Sequence, residues 1–120
     1  MRSVTVGLTL LLGACNWSGD CISLGRPSHR ITIRDSRSGA LVAAGAIVIV
    51  IGQDFRDSLQ IHENVANATV AFERDDPLTL EVRQVGYQLW TRSGLLAVRR
   101  GSCDYIRALD VTALLIPPNP

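Results

Sequence analysis

From residue 28 onward, apolar and polar side chains alternate with a period of two. In residues 29–34, Ile31 and Ile33 alternate with Arg30, Thr32 and Arg34, the pattern of a strand buried on one face. Leu59 and Ile61 oppose Ser58, Gln60 and His62, and Ala68, Val70 and Phe72 share one parity. Leu78, Leu80 and Val82 oppose Thr79, Glu81 and Arg83. Leu109, Val111, Ala113 and Leu115 repeat the pattern before Pro117 and Pro118, which cannot donate to a ladder. Residues 46–51 differ: they are apolar on both parities and β-branched, which predicts a strand covered on both faces. Residues 35–39, 73–77 and 92–94 carry turn chemistry, the last between strands over residues 87–91 and 95–99. The sum is seven or eight short strands and no helix, an all-β, antiparallel β-sandwich over residues 28–117, with residues 118–120 as a tail.

The first residues follow another rule. Met1-Arg2-Ser3 is short and positively charged, residues 4–12 are apolar apart from Thr and Gly, and Gly13 and Ala14 are small. That is the layout of an export signal. The run is too short for a helix across a bilayer core, which needs about 20 residues. Leu12-Gly13-Ala14-Cys15 resembles the bacterial lipobox. The resemblance implies a lipid on the Cys15 thiol, cleavage between Ala14 and Cys15, and a signal peptide over residues 1–14. Two or three acyl chains are then expected, which anchor durably where one holds only marginally. Asn16 follows, where the enteric sorting rule uses Asp to retain a lipoprotein in the inner membrane. The expected location is therefore the cell envelope, at the outer membrane. Residues 15–27, rich in Ser, Gly and Pro, read as a tether, in which Trp17 suits a membrane interface.

With Cys15 acylated, two of the three cysteines remain, Cys21 and Cys103. Export places them in an oxidising compartment, where a disulfide is the default and two buried free thiols are the alternative. No CxxC or HxxxH spacing points to a metal site. Cys15 and Cys21 are at most about 20 Å apart along the chain, so a bond at Cys21 would hold the domain close to the membrane.

Composition narrows the function classes. The 120 residues have room for one domain. A formal net charge of +1 gives no field that invites nucleic acid. All 12 basic residues are Arg, which removes a Schiff-base or catalytic lysine.

Residues 31–50, Ile-Thr-Ile-Arg-Asp through Gly39 and Ala44-Gly45-Ala46 into Ile47, resemble the opening of carboxypeptidase-regulatory-like domains. Residues 78–90, with Gly86-Tyr87, are similar to that family's later strand. Residues 103–117 resemble the ending found in small bacterial lipoproteins. The resemblance implies a transthyretin-like sandwich and departs from the family pattern in residues 52–60. Gly39 and Gly86 fall where a reversing chain needs positive φ, and Tyr87 would bury its ring while its hydroxyl finds a partner at the sandwich edge.

Candidate chemistry is sparse. His29, at a strand entrance, and His62, on a polar parity, read as surface or edge residues, and there is no G-x-S-x-G elbow. Glu73, Asp75 and Asp76 offer hard oxygen ligands for calcium, but the spacing fits no EF-hand and reads as a solvated turn. Residues 99–102, Arg-Arg-Gly-Ser, faintly resemble the C-terminal motif of hydroxyisourate hydrolases, here internal and without its Tyr. Trp90 and Tyr87 are the aromatics available to stack on a sugar. The expectation is a non-enzymatic, membrane-anchored lipoprotein with no cofactor or metal. Its sandwich would serve as a structural or binding module toward an envelope protein. The alternatives are a carbohydrate-binding module using Trp90 and Tyr87 and, more remotely, a small hydrolase.

Overall fold

The computed structural model describes residue 21 and residues 25–119. The signal peptide, Cys15 and most of the tether lie outside the described residues. The described chain is all-β, with no helix and nine strands rather than seven or eight. They are β1 (Pro27–Asp35), β2 (Ile47–Ile51), β3 (Arg56–Gln60), β4 (Ala68–Phe72), β5 (Leu78–Arg83), β6 (Trp90–Leu95), β7 (Val98–Arg100), β8 (Tyr105–Arg107) and β9 (Leu109–Leu115). One sheet has the order β4-β1-β9, the second β3-β2-β5-β6, and β7-β8 form a separate hairpin.

The alternation converts into a single core between the two larger sheets. Ile31, Ile33, Val111, Ala113 and Leu115 face Val48, Val50, Leu78, Leu80 and Val82, all buried in one cluster. This sandwich-like packing removes both apolar faces from water, at about 25 cal/mol per Å² of apolar surface. The outward residues pair across strands: Arg30 reaches Asp110, its register partner on β9, through two hydrogen bonds of 2.9 and 3.3 Å.

Four expectations need correction. The pairing is not wholly antiparallel, because β1 and β9 run parallel, from His29 opposite Leu109 to Asp35 opposite Leu115. Strand direction is set by partners from opposite ends of the chain, which no local pattern encodes. The apolar strand β2 is covered on its outer face only in part. Val48 and Val50 point into the core, Ile47 is 38% exposed, and Ile49 is shielded on the outer face between Ser58 and Glu81, its register partners.

Arg92-Ser93-Gly94 is not a turn between strands. It lies within β6 as a bulge, since Leu78 pairs with Leu95 and Leu80 with Arg92. Gly94 has φ 70°, the conformation that a turn and a bulge both demand. Lastly, His29 is not at the surface; it is fully buried. Pro27 pairs with Phe72 and His29 with Ala71, so Ser28 is an extra residue in β1. The bulge turns Ser28 and His29 inward together.

The strands run between two poles. At one, β1 begins and the Cys21–Cys103 disulfide ties the β7–β8 turn to the start of the domain, across a sequence separation of 82. At the other, β1 ends at Asp35 and β9 at Leu115. The nine residues of β1 put the poles roughly 25 Å apart.

Candidate functional site

The pole far from the disulfide is built from turns whose backbone groups are satisfied by side chains. Asp35 ends β1 and accepts the N–H groups of Arg37 at 2.7 Å and Ser38 at 2.9 Å on Oδ1. Its Oδ2 accepts the hydroxyl of Tyr87 at 2.7 Å. These three bonds, the one from Tyr87 foremost, pull the Asp35 pKa down to about 2, and the same bond raises that of Tyr87. Gly39 and Gly86, at φ 75° and 84°, let the two loops turn tightly enough to meet. The hydroxyl expected of Tyr87 thus has its edge partner.

Residues 41–44 lack polar side chains, so their backbone needs partners from elsewhere. Asn64 supplies one set: its Oδ1 accepts from Ala43 N at 2.8 Å and its Nδ2 donates to Leu41 O at 2.7 Å. Gln84 supplies the other, with Nε2 donating to Val42 O at 2.7 Å and Ala44 O at 2.8 Å. The two amides staple the β1–β2 loop from both sides. Sequence reasoning missed both. The one available signal is the loop of small and apolar residues that cannot satisfy itself.

Against this rigid frame lies a groove of about 470 Å³, lined by Gly45, Ile47, Arg83, Gln84, Tyr87 and Leu89 with Val85 on its rim. Val85 is 94% exposed and Leu89 57%. An apolar side chain so exposed on an ordered loop has no role in the core, and with Ile47 it forms a contiguous apolar surface beside one cation. Burial cannot be what positions these residues; the Gln84 bonds and the Tyr87–Asp35 contact do that. Trp90 is placed differently. It faces the core from β6, half-buried, with the Arg92 guanidinium 5.4 Å from its ring centroid. Tyr87 also packs against the core, and of the two aromatics it is Tyr87 that lines the groove.

The disulfide pole carries the other polar cluster. The Glu73–Asp76 turn, expected to be solvated, is exposed at Asp75 and also cross-braced by Arg99. Its Nε donates to Asp75 at 2.9 Å, and its Nη1 to Glu73 at 3.5 Å and to Asp104 O at 3.2 Å. The Arg99 guanidinium holds the Asp75 carboxyl below its usual range. Among the described residues no group of acids, histidines or cysteines is disposed to hold a metal ion. The first arginine of the Arg-Arg-Gly-Ser stretch, Arg99, is this brace, and Gly101, at φ 84°, makes the β7–β8 turn.

The two histidines stay apart from any such chemistry. His62 is exposed, and among the described residues its side chain makes no hydrogen bond. His29 Nε2 lies 2.9 Å from Leu95 O, which only accepts, so that nitrogen carries the proton; Nδ1 meets Ser28 Oγ at 2.9 Å. A carbonyl stands where a triad would need a carboxylate, and Ser28 is fully buried. No family model, curated protein or solved structure matches the chain.

Proposed function

We propose that this chain is a lipid-anchored protein of the bacterial cell envelope. Its sandwich, of the transthyretin-like, carboxypeptidase-regulatory-like kind, serves as a non-enzymatic binding module. The observation that carries the proposal is the Cys21–Cys103 disulfide. It pairs two of the three thiols, which fits an exported chain, and leaves Cys15 as the odd thiol within the lipobox-like stretch. The two facing sheets and the positive φ of Gly39 and Gly86 support the family reading. The disulfide fastens the sandwich six residues from Cys15, with the groove of Ile47, Val85 and Leu89 at the far pole, turned to a partner in the envelope. An apolar segment of an envelope protein suits three aliphatic side chains flanked by Arg83. Asn16 beside Cys15 favours the outer membrane.

Metabolic labelling with palmitate tests the anchor. The wild-type chain takes up label, globomycin accumulates its precursor, and Cys15→Ser abolishes both. An unlabelled protein whose mobility is unchanged by Cys15→Ser sinks the proposal.

A polysaccharide ligand is the second reading, favoured by Tyr87 on the wall of the same groove. It requires retention on envelope polysaccharide that Trp90→Ala or Tyr87→Phe weakens while the fold survives. A protein that passes through such a column unretarded ends it.

A further inference from the structure

The disulfide pole has a second groove, of about 290 Å³, lined by Arg26, Arg100, Gly101, Tyr105, Ile106 and Arg107. Three guanidiniums share it with no carboxylate on its wall. Among the described residues none of the three forms an ion pair. Arg26 donates its backbone N–H to Glu73, but its guanidinium stacks 3.9 Å from the Tyr105 ring centroid, and its Nε is buried without a hydrogen-bond partner. Arg100 and Arg107 are exposed at either side of the β7–β8 hairpin, paired with Tyr105 and Val98 in its register. The side chains of the nearby acids pair with other arginines: Glu73, which also accepts the Arg26 backbone N–H, and Asp75 are held by Arg99, and Asp76 lies 3.9 Å from Arg74. Asp104, in the adjoining turn, offsets one of the three charges.

Like charges are not gathered at one spot for stability; they repel, and their stabilising partner must come from outside. Cys103 lies in the turn that shapes this groove, bonded to Cys21. Resting on the lipid anchor proposed above, only residues 16–20 separate the groove's disulfide from the acylated Cys15. The pole therefore sits within a Debye length or two of the headgroups. We propose that the Arg26–Arg100–Arg107 groove binds the phosphate group of anionic lipids in the anchoring leaflet, setting the domain upright on the bilayer. Guanidiniums suit this role because their planar donors fork onto phosphate oxygens. The far groove of Ile47, Val85 and Leu89 would then be directed away from the membrane.

The test uses the full chain with Cys15→Ser, so that no acyl chain contributes, and co-sedimentation with vesicles. Retention is expected to be stronger on phosphatidylcholine vesicles containing about a third phosphatidylglycerol than on phosphatidylcholine alone, where the apolar residues 4–12 set the baseline. Adding Arg100→Ser and Arg107→Ser should weaken retention about 30-fold, about fivefold per arginine. Arg34→Ser with Arg37→Ser, at the far pole, should leave it unchanged. Residues 1–24 are identical in all these proteins, so any affinity of that segment cancels. Circular dichroism and a non-reducing gel verify fold and disulfide. Inorganic phosphate at constant ionic strength separates the two sources of the group. Retention that resists it supports a lipid site, and retention it abolishes overturns the proposal in favour of a free-phosphate site. Equal retention of the double variant and its parent also overturns it. Palmitate labelling of the wild type is scored separately. Label without arginine-dependent retention refutes the groove and spares the anchor. Arginine-dependent retention without label does the reverse.

Discussion

The Tyr87 hydroxyl donates to Asp35 Oδ2 at 2.7 Å, joining the end of β1 to the β5–β6 loop across 52 residues. Its energetic trace is the Asp35 pKa, lowered from 3.8 to about 2. A carboxylate with a depressed folded-state pKa adds stability above its unfolded value, and that stability fades as pH falls through the folded value. Tm should therefore decline between about pH 4 and pH 2 as Asp35 protonates. Tyr87→Phe removes the largest cause of the shift, lowers Tm at neutral pH and flattens that decline. A parallel fall of Tm in both proteins across this window would remove the contact from the stability of the pole. At the alkaline end Tyr87 is raised above 10, so its contribution holds below that pH and is lost above it.

The disulfide closes a loop with a sequence separation of 82. In the chain-entropy model such a bond contributes roughly 4–5 kcal/mol. Urea denaturation with and without reductant should show a difference of that order, and Cys103→Ser should match the reduced wild type. A midpoint insensitive to reductant would mean that the bond does not form in the folded protein.

His29 should behave as a core residue. Its ring fills a fully buried site and holds Ser28 and the Leu95 carbonyl. His29→Ala leaves both unsatisfied and opens a cavity, a loss of about 3 kcal/mol, comparable to Leu80→Ala at roughly 2–5 kcal/mol. His62→Ala, at an exposed position, should stay within about 0.5 kcal/mol of wild type. Denaturant midpoints of the three variants check this; equal effects at His29 and His62 would contradict the buried placement.

These residues also mark what the sequence can reveal. The inward faces of β1, β5 and β9 were legible because each alternates cleanly, and Gly39 and Gly86 because a positive φ has few other tenants. Ser28 and His29 were not, since a bulge puts two consecutive residues on one face and breaks the period on which the reading depends. Gly94 misled for a related reason: Arg-Ser-Gly meets the needs of a turn and of a bulge equally. The hairpin strand β8, three residues long, is too short to carry any period. The groove was invisible because Val85 carries no periodic signal and Leu89 fell within the expected strand over residues 87–91, whereas β6 begins only at Trp90, and only the fold shows that both side chains are exposed.

That surface can be separated from the fold by mutation. Val85→Asp and Leu89→Asp change exposed side chains, so stability should move by no more than about 0.5 kcal/mol. Crosslinking in intact membranes, read by mass spectrometry, should lose its envelope partner in the same variants. A partner retained by both moves the binding surface elsewhere on the sandwich.

The most direct measurement is the intact mass of the amino-terminal peptide from protein extracted out of membranes. It should begin at Cys15 and carry two or three acyl chains, with Cys21 still bonded to Cys103. A peptide that starts elsewhere, or a Cys15 without lipid, would contradict the anchor on which the envelope role rests.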